Sequence, residues 1–158
     1  MKIGMRHLHL FILLFAVSSL LVHSPSDFEA FADSNSSGSV KSIVQINDST
    51  TNGPVLENND QFGHSITNIG DLDGDGVIDL VVGASKDDNA AGNKRGTVHI
   101  LFMESDGSVK STVEINSDTT NGPTLTNTDQ FGYSVENLGD LDGDGVIDLA
   151  VGAISDDE

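Results

Sequence analysis

The ten residues Asp71-Leu72-Asp73-Gly74-Asp75-Gly76-Val77-Ile78-Asp79-Leu80 return letter for letter at Asp140 to Leu149, 69 residues further on. They belong to a longer recurrence: residues 39–89 align with 108–158 without a gap, and 36 of the 51 positions are identical. A tandem duplication restricts the chain to folds in which one supersecondary unit is laid down repeatedly and neighbouring copies cover each other's apolar faces. The first unit is assigned to 39–107 and a second, truncated unit to 108–158.

Within the unit the pattern is that of strands. Ile43 to Asn47 and Thr112 to Asn116 are short and β-branched; Phe62 to Ile69 and Phe131 to Leu138 follow, then Asp79 to Ala84 and Asp148 to Ala153. Thr97 to Met103 is apolar apart from His99, and Glu104-Ser105-Asp106-Gly107 supplies a hairpin turn after it. No segment keeps a helical period, and Gly, Asn and Pro punctuate the gaps, so the fold class is all-β. Leu80-Val81-Val82 and Val98 to Met103 are apolar on both faces and need cover on two sides, as when sheets stack face against face. One repeat supplies four strands, and four-stranded antiparallel sheets repeated radially are β-propeller blades.

The acidic decapeptide joins the Phe62 strand to the Leu80 strand. Its carboxylates fall at positions 1, 3, 5 and 9, with glycines at 4 and 6 that allow a tight turn. Holding four carboxylates in so short a loop is repulsive unless a cation neutralises them. Calcium suits them, since it takes ~6–8 oxygen ligands, whereas magnesium demands a near-ideal octahedron. The expected ligands are Asp71, Asp73, Asp75, Asp79 and the Val77 carbonyl in the first loop, and Asp140, Asp142, Asp144, Asp148 and the Val146 carbonyl in the second. The competing reading is a bare acidic surface turn. An EF-hand or dockerin-like loop would place an acidic ligand at position 12 and a helix after it. Here position 12 is Val82 or Val151, inside a β-rich run.

The chain of 158 residues carries a formal charge of −18, and eight of its 25 acids lie in the two loops, so much of the imbalance belongs to the proposed metal sites. Seven lysines and arginines are too few for a phosphate-binding surface, which excludes nucleic acid as a partner. Cysteine is absent, which removes disulfides and thiol catalysis. Met1 to Ala32 reads as a cleaved signal peptide: Lys2 and Arg6, an apolar run from Leu8 to Val22, and small residues at Ala30-Phe31-Ala32. That run is short for a membrane span, so none is expected after cleavage. Residues 33–38 form a polar linker, and Asn35 and Asn47 stand in glycosylation-type triplets too short to carry weight.

Phe62-Gly63 and Phe131-Gly132, the acidic loop, and then Gly83-Ala84-Ser85 and Gly152-Ala153-Ile154 together resemble the FG-GAP repeats of integrin α-chain β-propellers. Such repeats also occur in large secreted bacterial and archaeal proteins. The proline of the GAP element is replaced in both copies. The resemblance covers residues 39 to 158 and implies a calcium-stabilised, non-catalytic propeller at the cell surface or secreted, serving adhesion or recognition of an extracellular protein or glycan. Two other classes stand beside it: the propeller portion of a larger secreted hydrolase, and a structural envelope component. The strands amount to an incomplete ring of about two blades, to be completed by further blades of a longer chain or by self-association. Other chemistry is sparse. His64 and His99 have no nucleophile motif nearby. Asp87-Asp88, Asp156-Asp157 and Lys94-Arg95 read as loop charge and a turn.

Overall fold

A computed structural model describes residues 10–14, 42–88 and 93–156. Among them the only regular elements are strands. β3 (Phe62–Gly70), β4 (Asp79–Ala84), β5 (Thr97–Met103) and β6 (Val109–Ile115) form one antiparallel sheet in chain order. β7 (Phe131–Gly139) and β8 (Asp148–Ala153) repeat its first two strands. The registers also repeat: Phe62 faces Ala84 as Phe131 faces Ala153, and Gly70 faces Asp79 as Gly139 faces Asp148. The pairing irregularities fall at matching places in both copies. This is one complete β-propeller blade and two strands of the next, and together they do not close a ring.

The two central strands of the complete blade, β4 and β5, are covered on both faces. On one side Ile46, Phe62, Val82, Ala84, Leu101, Met103 and Val109 make a core; on the other, Ile69, Val81 and Val98 pack with Val135, flanked by Phe131, Leu149 and Val151. Val81 and Val82, adjacent in β4 and each wholly buried, therefore serve opposite cores. Successive strand side chains point to opposite faces, so an apolar pair in mid-strand can be buried only between two layers.

β3 and β7 each run one residue past the sequence expectation, to Gly70 and Gly139, and β2 and β6 differ from it for local reasons. β6 starts at Val109, not Thr112, because the 104–108 turn closes tightly: Glu104 N–H donates to the Ser108 carbonyl at 2.8 Å, and Met103 pairs with Val109 at once. β2 spans Ser42–Ile46 and not Ile43 to Asn47, because the Asn47 side chain accepts from Ser49 N–H at 2.8 Å and turns the chain. The expected signal peptide and linker lie outside the described residues except for β1 (Leu10–Leu14), which pairs antiparallel with β2 from Leu10–Ile46 to Leu14–Ser42.

The blades meet closely where Gly83 of β4 faces Gly132 of β7. The Ser65 hydroxyl donates to the Gly132 carbonyl at 2.8 Å, and a Cβ on Gly83 would overlap that carbonyl oxygen. Its counterpart Gly152 would bring a Cβ against the Ser134 side chain only. Gly83→Ala is expected to lower stability by roughly 1–3 kcal/mol through overpacking. Gly152→Ala should cost clearly less, and urea unfolding of the two variants side by side measures the difference.

Candidate metal centres

Each acidic loop is first a set of self-made hydrogen bonds. Asp71 staples its loop: Oδ1 accepts from Gly74 and Asp75 N–H at 2.8 and 2.9 Å, and Oδ2 from Gly76 N–H at 2.8 Å. Asp75 Oδ1 accepts from Val77 N–H at 2.9 Å. Asp79, fully buried at the start of β4, accepts from Leu72 N–H at 2.9 Å and from Met103 N–H at 3.0 Å, which fastens the loop to the end of β5. The second loop repeats the scheme, with Asp140 accepting from Gly143 and Gly145 at 2.7 and 2.9 Å, Asp144 from Val146 at 2.8 Å and Asp148 from Leu141 at 2.7 Å.

Three carboxylates converge in each loop. Oxygens of Asp71, Asp73 and Asp79 lie within 4.8 Å of one another, as do oxygens of Asp140, Asp142 and Asp144. An all-oxygen, carboxylate-rich donor set of this kind fits a hard divalent cation. The identical decapeptides thus group different residues. In the first loop Asp75 is turned towards Lys110, whose ammonium lies 2.6 Å from Asp75 Oδ2 and 2.7 Å from Asp73 Oδ2. The bond from Lys110 holds the Asp75 carboxyl below the usual range, helped by Val77 N–H, and the two carboxylates raise the Lys110 pKa. In the second loop Asp144 joins the group, and Asp148 lies outside it. Val77 and Val146 keep the seventh position, their N–H groups committed to Asp75 and Asp144.

A second acidic site lies at the other end of the complete blade. The start of β3, the end of β4 and the end of β6 bound a cleft of about 530 Å³ whose lining includes Glu57, Asp60, Asp87, Asp88, Glu114 and Asp118. Burial, abetted by the charges of Asp87, Glu57 and Asp88, raises the Asp60 pKa to about 6 despite the bond from Glu57 N–H. Burial and then the Asp87 charge raise that of Glu114. The sequence offered Asp87-Asp88 as loop charge only. That these acids share a cleft depends on three loops meeting, which no local pattern announces.

His99 packs behind this cleft, edge-on to Phe62 with ring centroids 5.3 Å apart. Its Nε2 lies 3.8 Å from Asp87 Oδ2 and its Nδ1 3.8 Å from Glu114 Oε1, beyond hydrogen-bond reach. At that distance the carboxylates do not offset desolvation, and burial lowers the imidazole pKa to about 4. His64 is exposed, with Nδ1 3.0 Å from the Tyr133 carbonyl and its ring tilted on the Tyr133 ring at 4.4 Å. Lys94 and Arg95 form a strap between blades: the carbonyls of Asn93, Lys94 and Arg95 accept from Thr128, Gln130 and Phe131 N–H at 2.9, 3.2 and 2.8 Å.

The family model described as FG-GAP repeat matches residues 62–101, from the start of β3 into β5. Among curated proteins the chain is similar to integrin alpha pat-2 of Caenorhabditis briggsae, 38% identical over 94 residues, or 59% of this chain and 7% of that protein. It is similar also to human integrin alpha-11, 40% identical over 96 residues (61% and 8%), and to integrin alpha-4 of Xenopus laevis, 33% identical over 97 residues (61% and 9%). The matched stretch is therefore under a tenth of the length of these relatives.

The buried imidazole and the buried carboxyl have opposite pH signatures. His99 is harder to protonate folded than unfolded, so its contribution to stability is lost as pH falls from about 6.5 to about 4. Asp60 is harder to ionise folded, so its contribution is lost as pH rises from about 3.8 to about 6. In urea titrations across pH 4–7, His99→Phe is expected to remove the acid-side loss, and Asp60→Asn to make that loss steeper than in the parent chain.

Proposed function

We propose, from the premise that this chain carries integrin-like FG-GAP repeats, that it is an extracellular calcium-binding propeller segment that recognises an extracellular protein or glycan and performs no catalysis. One observation carries the metal reading: two loops 69 residues apart each gather three carboxylates whose oxygens approach within 4.8 Å. In the first loop we assign Asp71, Asp73, Asp75, Asp79 and the Val77 carbonyl to one ion. In the second we assign Asp140, Asp142, Asp144, Asp148 and the Val146 carbonyl to another. Bound calcium would neutralise the repulsion within the loop and clamp the hairpin between the first two strands of each blade. Asp79 supports this role, because it already reaches across to β5 through Met103 N–H.

A structural ion at one end of the blade leaves the other end for recognition. There the cleft between the β3, β4 and β6 ends presents several carboxylates, two of them with raised pKa values. Such a surface suits a partner that brings positive charge.

Calcium is expected to raise the melting temperature of the chain, with about 2.7 kcal/mol per site when the free ion is at a hundredfold excess over its Kd. Chelation should reverse the shift, and Asp73→Ala and Asp142→Ala should each remove one site by calorimetry. Absence of binding heat at millimolar calcium would overturn the assignment, since extracellular modules of this type bind at ~10⁻⁴–10⁻³ M. For recognition, a Asp87→Asn, Asp88→Asn and Glu114→Gln triple variant should lose adhesion to immobilised extracellular proteins and keep its calcium-dependent melting shift. Adhesion equal to that of the parent chain would remove the cleft from the recognition surface.

A further inference from the structure

The two loops share every letter from Asp71 to Leu80 and from Asp140 to Leu149, yet their carboxylates are arranged differently. Beside the first loop lies a cation from a residue 31 positions after that loop's last carboxylate, Asp79. Lys110, the second residue of β6, reaches Asp73 Oδ2 at 2.7 Å and Asp75 Oδ2 at 2.6 Å. Asp75, so engaged, is not in the group formed by Asp71, Asp73 and Asp79. In the second loop the equivalent Asp144 stays with Asp140 and Asp142.

The placement of Lys110 follows from the fold. Met103, whose N–H grips the buried Asp79, pairs with Val109, the neighbour of Lys110. One corner of the sheet, the end of β5 and the start of β6, therefore anchors the loop from below and brings an ammonium over it. The Lys110 side chain is 38% exposed, so water and salt reach it and it can leave without unfolding anything. It makes two charge-assisted bonds to oxygens that a metal ion would need.

We propose that Lys110 is a tethered competitor of the metal in the first loop. The inference rests on the calcium reading of the loops. The first loop fills only when calcium displaces the ammonium from Asp73 and Asp75, after which Lys110 is hydrated. Without metal, Lys110 relieves the repulsion between those two carboxylates and keeps the first loop folded.

Calcium calorimetry on the full chain tests this. Asp142→Ala isolates the first loop and Asp73→Ala the second. In the Asp142→Ala background, Lys110→Met is expected to tighten the remaining site by roughly 3- to 10-fold, as for loss of an exposed pair of ion contacts. In the Asp73→Ala background it should change nothing. In chelator, Lys110→Met should melt below the parent chain, and in saturating calcium that deficit should vanish or reverse. An unchanged or weakened first site on Lys110→Met would overturn the competition while leaving the calcium reading intact. No binding heat in any variant would overturn both. Far-UV circular dichroism matching the parent confirms that Lys110→Met folds.

Discussion

The fold depends on strands that are apolar on both faces. Val81 and Val82 are neighbours in β4, each wholly buried, and each belongs to a different core. A lone sheet would leave one of them in water, at a cost of about 1.5–3 kcal/mol per large aliphatic side chain. The blade is therefore not a self-sufficient unit: Ile46 closes it on one side, and Val135 with Leu149 and Val151 on the other. The acidic loops sit at one end of the strands and the acidic cleft at the other.

Much of this was legible because the strands are short, bounded by turn residues and repeated with little change. β4, β5 and β8 run over the residues expected, and the 104–107 turn is where Asp-Gly placed it. The ends of β6 and β2 moved through single hydrogen bonds, from Glu104 N–H to Ser108 and from Ser49 N–H to Asn47, which alternation of apolar residues does not encode. The apolar run inside the expected leader places Leu10–Leu14 beside β2, a pairing that its hydropathy alone did not suggest.

The loops were legible as chemistry and less so as geometry. Alternating aspartates announced a cation, and three from each loop do converge. The contact of Lys110 with the first loop was hidden, because Lys110 lies far along the chain and only the register of β5 with β6 brings it near. The one trace in the sequence is that Ser-Val-Lys-Ser occurs in both copies, at 39–42 and 108–111. The cleft was hidden for the same reason: Asp60 and Asp87 lie in separate loops and Glu114 near the end of β6, and the desolvation of Asp60 and Glu114 arises only once the strands are paired.

The seam between the blades is sewn largely with backbone. Carbonyls of Asn93, Lys94 and Arg95 take the N–H groups of Thr128, Gln130 and Phe131, and the Gly132 carbonyl takes the Ser65 hydroxyl beside Gly83. Main-chain groups are the same whatever side chain they carry. These backbone contacts demand little side-chain matching, and the apolar packing of Val81 and Val98 against Val135 completes the join. A gene segment encoding a unit could therefore be copied in place and its product would already fit its neighbour, which is a physical reason for a chain to grow by duplication rather than by invention.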